Sequence, residues 1–221
     1  MVKNVKKIVI LGAGGNSRDI MDTLHDINRF EGDTYECVGF LDDDKALWGK
    51  KIIGEKVLGP IEKASDFSDC FFVNGVYSVI TFFNNEDVIK NSKIPLSRYI
   101  TVIHPSAHIS ETARIDKGSV LMRNVTLMSD VVIGKHVNIH PGAVISHGSE
   151  IGDYSFIANT GSIGGYVKIG NSCFIGSNSS LRDRITIGSY TIIGIGSTVV
   201  EDVPGNGVYV GNPARFLRKS R

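Results

Sequence analysis

From Ile133 the chain reads IGKHVN-IHPGAV-ISHGSE-IGDYSF-IANTGS-IGGYVK-IG, closing at Gly170. Every group of six opens on an aliphatic residue. The step continues in both directions without insertion or deletion, from Ile103 to Pro204. Upstream it passes Ile103, Ile109, Ile115, Leu121 and Leu127; downstream it passes Ile175, Leu181, Ile187, Ile193 and Val199. The fifth position of each hexad is small to medium, as at Ser119, Ala143, Gly161, Cys173 and Ser197, and only Ile185 exceeds Val. Glycine repeatedly follows the aliphatic, as at Gly134, Gly152 and Gly164, where a sharp corner leaves no room for a side chain.

A period of six is a multiple of the strand period and not of the helix period, so the same face points inward in each repeat. Fixed self-similarity of this kind predicts a solenoid whose stacked coils share one continuous core. Each buried aliphatic contributes about 1.5–3 kcal/mol, and the small fifth residue leaves space beside it. The pattern resembles the hexapeptide repeat of the left-handed parallel β-helix, in which three hexads make a triangular coil of about eighteen residues. That fold departs from the usual right-handed crossover.

At 221 residues the chain has room for two modest domains, and Lys+Arg 24 against Asp+Glu 23 leaves it nearly neutral. No Lys/Arg block stands outside the last few residues, so nucleic acid is not the expected partner. Cys37, Cys70 and Cys173 have no metal-like or redox spacing and read as structural. No signal peptide or membrane-length apolar run is visible, which points to a cytoplasmic protein without membrane insertion.

Residues 1–102 lack the six-residue period and read as a Rossmann-like α/β unit preceding the solenoid of 103–221. Lys7–Leu11 (KIVIL) is a buried strand that runs into Gly12-Ala13-Gly14-Gly15-Asn16-Ser17 and then a helix with Ile20, Leu24 and Ile27 on one face. A second strand, Glu36–Leu41, ends in Asp42-Asp43-Asp44, and a third, Cys70–Asn74, ends at Gly75. A Gly-rich turn between strand and helix offers backbone N–H groups to a phosphate. An acidic strand end can take hydrogen bonds from a ribose or base. The dinucleotide fingerprint is broken, since Ser17 stands where its third glycine belongs.

Three landmarks flank the hexads: Gly12–Arg18 (GAGGNSR), Gly39–Asp44 (GFLDDD) and Tyr209–Arg215 (YVGNPAR). With them, nearly the whole chain resembles the sugar O/N-acetyltransferases of the sialic acid O-acetyltransferase and nucleotide-4-amino-sugar N-acetyltransferase group. The resemblance implies a nucleotide-linked sugar on the N-terminal unit and acetyl-CoA on the β-helix, between neighbouring subunits of a homotrimer. It places substrate contacts at Gly14, Gly15, Asn16, Asp42, Asp43 and Gly75. It makes His147, in Val144-Ile145-Ser146-His147, the general base, and the Gly165 N–H the donor to the thioester oxygen, one coil further on. Acetyl-CoA contacts carry over to Phe156, Ala158, Gly165, Ser177, Ile195 and Arg215, with Arg218 and Lys219 as further cations for phosphate. Better-known members carry a second His where Phe156 stands, and a Phe only packs. Many relatives follow the base with an acid. Here Gly148 takes that place, so any assist comes from elsewhere, such as Glu150 or a neighbouring chain, and an acid restored at 148 is expected to be tolerated.

A neutral imidazole on an accessible face takes a proton from an amine or hydroxyl as it attacks a thioester, with no metal needed. Two other classes fit the fold. A γ-carbonic-anhydrase-like enzyme would use histidines among His104, His108, His136, His140 and His147, but zinc needs three ligands converging on one point. A non-catalytic binding or scaffold protein is the other.

Overall fold

The computed structural model describes residues 5–77 and 82–220. The chain divides into two compact units, Met1–Pro105 and Ser106–Arg221.

In the first unit, β1 (Lys6–Leu11) carries Ile8, Val9, Ile10 and Leu11, none of them solvent-exposed. Apolar residues without alternation mark a strand covered on both faces. Helix α1 (Gly15–Glu31) buries Ile20, Met21, Leu24 and Ile27, one stripe at helical spacing, and stops at Gly32, whose φ of 78° suits glycine. Near its C-terminus the Asn28 side chain accepts from the Thr34 and Tyr35 N–H groups at 3.0 and 2.9 Å, steering the chain into β2 (Tyr35–Leu41). A hairpin follows, β3 (Lys51–Ile52) and β4 (Glu55–Gly59), and then β5 (Phe71–Asn74). The sheet order is β3-β4-β2-β1-β5, parallel throughout except for β3 against β4. The β3–β4 hairpin and a second helix, Asn85–Asn91, are among the elements that the sequence reading lacks. The loop ends gather Gly12, Asp42 and Gly75: the Gly12 N–H donates to Leu41 O and the Gly75 N–H to Leu11 O, at 2.7 and 2.8 Å.

In the second unit, two-residue strands start at His108–Ile109 and recur every sixth residue to Thr198–Val199. Each pairs in parallel with the strand eighteen residues away, as Val144–Ile145 does with Thr126–Leu127 and Ser162–Ile163. The strands fall into three sheets that form the walls of a left-handed β-helix. The second residue of each strand points inward. From Leu121 to Val199 this column is buried throughout, while Ile109 and Ile115 are half-buried because an end coil has a neighbouring coil on one side only. Ile103 is 38% exposed, and its strand, Val102–Ile103, belongs to the first unit.

Buried serines at the fifth position are satisfied between coils. The Ser149 hydroxyl donates to Gly164 O at 2.8 Å and accepts from the Val167 N–H at 3.1 Å, and Ser119 and Ser155 repeat the arrangement. Gly164 shows why glycine follows the aliphatic: a Cβ there would lie 2.7 Å from the Asp183 backbone nitrogen. At the far end Gly207–Gly211 pairs in parallel with Ile192–Ile193 and then turns back against Ala214–Lys219 as an antiparallel hairpin.

Candidate active site

His147 lies at the corner after the wall that carries Thr126, Val144 and Ser162, and its side chain is exposed. The same corner carries Ser129 one coil before, and Gly165 and Asp183 one and two coils after. Gly165 has no side chain where one would collide with the base: a Cβ there would be 2.8 Å from His147 Nε2. The glycine therefore clears the space beside the imidazole. Its N–H is not free, however, because it donates to Asp183 Oδ1 at 2.9 Å. The expected oxyanion donor is thus held by a carboxylate in this chain, and a thioester oxygen reaches it only by displacing or sharing with Asp183. Asp183 gave no signal in the hexad pattern, since it is one polar corner residue among many.

Tyr166 packs its ring against His147 edge-on, with centroids 5.0 Å apart and planes at 82°. The same ring lies over Gly148: a Cβ there would be 2.6 Å from Tyr166 Cδ1 and Cε1. A side chain at 148 therefore requires the Tyr166 ring to shift. Glu150 does not serve as the substitute acid within this chain, because it stands on the next wall and pairs with Lys168 at 3.2 Å.

A depression of about 540 Å³ beside His147 is lined by His108, Ser110, Thr126, Met128 and Ser129. The residues assigned to acetyl-CoA lie elsewhere on the coil. Phe156 is on a different wall, 7% exposed, stacked on Phe174 at 4.9 Å and tilted against His140 at 4.5 Å. Ala158 is 5% exposed. Phe156 packs, as expected of a Phe at that position, and the Ala158 side chain is buried with it. Ser177 is half-buried and Ile195 is 77% exposed, both at the corner after the Phe156 wall. Arg215 is exposed on the terminal hairpin, with its guanidinium on the neighbouring Ala214 carbonyl at 3.0 Å. Within one chain, then, His147 and the Ser177–Ile195 edge occupy separate corners of the triangular coil.

In the N-terminal unit the six expected contacts divide into braces and open groups. Asp42 uses both oxygens internally, accepting from the Ala13 and Asp44 N–H groups at 2.8 Å each. Asn16 Nδ2 donates to Gly75 O at 3.2 Å, and a Cβ on Gly75 would strike Ser17 Oγ. Asn16, Asp42 and Gly75 therefore hold the loops together. Gly14 and Gly15 differ: a Cβ on either would meet nothing within 4 Å, so neither packing inside the chain nor a positive φ explains the glycines. They leave the start of α1 bare, with no side-chain cap and no acid in its first turn. Unpaired N–H groups at a helix start attract an anion. Asp43 accepts from the Ile61 N–H at 2.9 Å and lines a cavity of about 420 Å³ with Lys45, Trp48, Pro60 and Glu62. Trp48, which the sequence reading passes over, is fixed there by its indole N–H on Asp42 O at 2.8 Å.

The three cysteines are free, Cys70 and Cys173 buried and Cys37 half-buried. Burial pushes the Cys37 and Cys173 thiols up to about 12 and raises that of Cys70. Among the described residues no three His, Cys, Asp or Glu side chains gather as metal ligands. Among the described residues no helix is long and apolar enough to cross a membrane.

Coils of hexads with a histidine at an open corner, preceded by an α/β unit with a bare helix start, define a hexapeptide-repeat acyltransferase. Residues 7–79 match the PglD N-terminal domain family, and residues 101–208 match the GMPPB C-terminal domain family. The chain is 31% identical over 163 residues to GDP-perosamine N-acetyltransferase of Escherichia coli O157:H7, spanning 72% of this chain and 70% of that protein. It superposes on the acetyltransferase domain of PglB from Neisseria gonorrhoeae FA1090 with a TM-score of 0.84 and 25% identity, covering 96% of this chain and 100% of that one. GDP-perosamine N-acetyltransferase of Caulobacter crescentus, in a structure with CoA and GDP-perosamine, shares the fold at 22% identity and a TM-score of 0.81, over 98% of this chain and 99% of that one. The chain belongs to the hexapeptide-repeat sugar N-acetyltransferases.

Proposed function

We propose that the chain transfers the acetyl group of acetyl-CoA to the amine of a nucleotide-linked amino sugar, with His147 as the base. The observation that carries this reading is the pairing of an exposed imidazole with a side-chain-free Gly165 beside its Nε2, which leaves a place for an acceptor nitrogen. His147 takes the proton as the amine attacks the acetyl carbon, and the CoA thiolate leaves and recovers that proton from the imidazolium. No acyl-enzyme is expected, because no Ser or Cys is paired with this base at a family nucleophile position. Likeness to the GDP-perosamine enzymes favours N- over O-acetylation and a guanosine diphosphate sugar as the first acceptor to test. Gly14, Gly15 and the start of α1 would take the diphosphate, and Asp43 and Trp48 the nucleoside.

The separate corners of His147 and of Ser177 and Ile195 support a C3 homotrimer, in which the corner of one chain meets that of the next. Light scattering that gives a monomer mass at micromolar concentration removes the shared site. A panel of GDP-, UDP-, dTDP- and CMP-amino sugars with acetyl-CoA, read by free thiol release, tests the activity. Turnover restricted to hydroxyl acceptors overturns N-acetylation, and none with any sugar overturns the reading.

A further inference from the structure

An exposed histidine on a solenoid corner has no reason to keep one orientation unless something holds it, and the surroundings of His147 supply one neighbour suited to that. Tyr166 is anchored one coil above, its N–H donating to His147 O at 2.9 Å. Its ring meets the imidazole edge-on at 5.0 Å, and Arg184 one coil further lies over the same ring at 4.7 Å. The ring can lie there because position 148 has no side chain. The glycine is not demanded by the backbone. Its φ of +65° belongs to a corner position that Tyr154, Thr160 and Tyr166 occupy at φ 61°, 56° and 57° with side chains in place. What excludes a side chain at 148 is the Tyr166 ring.

We infer that Tyr166 is a positioning residue: its ring, seated over Gly148 and backed by Arg184, fixes the His147 imidazole in the orientation that accepts the acceptor's proton. The inference rests on the assignment of His147 as base. The ring acts by its shape and edge, so the phenol hydroxyl is not required. Gly148 and Tyr166 then form one unit, the glycine existing to admit the ring. Misplacing a catalytic group by a fraction of an ångström to an ångström costs rate far more than substrate affinity.

The test measures kcat and KM of the purified full chain with acetyl-CoA and the best amino-sugar acceptor from the panel, with His147→Ala run in parallel. Tyr166→Ala is expected to lower kcat by roughly tenfold and move the acetyl-CoA KM by less than about twofold, while Tyr166→Phe stays within about twofold of the parent. Gly148→Ala is expected to lower kcat several-fold, and to have no further effect once Tyr166 is Ala, because the ring it displaces is gone. Additive losses from Gly148→Ala and Tyr166→Ala would break the unit and overturn the inference. Tyr166→Phe as poor as Tyr166→Ala would overturn it in favour of a hydroxyl role. An inactive His147→Ala beside a fully active Tyr166→Ala sinks the inference alone. A fully active His147→Ala sinks the base assignment and the inference with it. Melting temperatures separate a misfolded variant from an inactive one, and Tyr166→Phe keeps the comparison open if Tyr166→Ala does not fold.

Discussion

The two units are held together by different kinds of connection. In the β-helix each two-residue strand pairs with the strand eighteen residues on, so most inward aliphatics have copies above and below, and the same serine bridge recurs at Ser149 and Ser155. In the α/β unit each contact is made once: Ala13 to Asp42, Ile61 to Asp43, Asn28 to the start of β2. Repetition spreads stability over many equivalent residues, whereas single contacts concentrate it in a few. The β-helix can therefore yield one corner to chemistry without losing its frame. The α/β unit relies on the two carboxylates Asp42 and Asp43 to shape its loops.

The sharpest way to break that contrast is at the corner itself. His147→Ala is expected to reduce kcat by roughly 10²–10⁴ with little change in melting temperature, because the residue is exposed and its coil is braced by neighbours. Thiol release with the cognate acceptor checks the rate; an undiminished rate rules His147 out. The inward column behaves in the opposite way. Ile157 is fully buried, and Ile157→Ala is expected to cost about 2–5 kcal/mol, read by denaturant unfolding, while kcat of the folded fraction stays near normal.

A third test uses pH. Burial lowers the pKa of His136 from 6.5 to about 4. Above pH 6.5 both folded and unfolded chains carry it neutral. As pH falls from there to about 4, only the unfolded chain gains the proton, so stability drops across that window. The loss approaches roughly 3 kcal/mol, at about 1.4 kcal/mol for each pH unit between the two values. His136→Phe should flatten the pH dependence of melting against the parent; identical curves would mean the side chain titrates normally. The smallest effect is expected from Asp43→Ala. Losing its bond to the Ile61 N–H costs about 1 kcal/mol of stability, and acceptor binding weakens about tenfold with acetyl-CoA spared. Calorimetric titration giving equal acceptor affinity would move the acceptor off this unit.

The contrast also governs what can be read from the residues alone. A column such as Ile133 to Ile187 declares the fold because its copies agree, and that redundancy also places His147 and Gly165 on one corner. The role of each corner residue has no copy to be checked against. That the Gly165 N–H is already held by Asp183, that Tyr166 fills the space over Gly148, and that Phe156 packs on Phe174 are facts of neighbours eighteen residues apart, whose side chains follow no pattern. In the α/β unit the strand, turn and helix of Lys6–Glu31 were legible from their apolar runs and glycines. That Asn16, Asp42 and Gly75 also brace the loops was not legible, because a brace and a binding group use the same polar atoms and only the hydrogen-bond partners reveal the brace.

The hairpin of Gly207–Lys219 gives the stack a property that its repeats do not. A column of identical layers grows like a one-dimensional crystal, each finished face being a template for the next layer. Here the face that Ile192–Ile193 offers is occupied by Val208–Tyr209, and the Ser197 hydroxyl accepts from the Gly211 N–H at 3.2 Å instead of from a further coil. The returning strand Ala214–Lys219 then presents Arg215, Arg218 and Lys219 along its exposed length. On that wall the antiparallel return gives the stack an edge of different pairing and like charge, which works against the addition of a further parallel strand there.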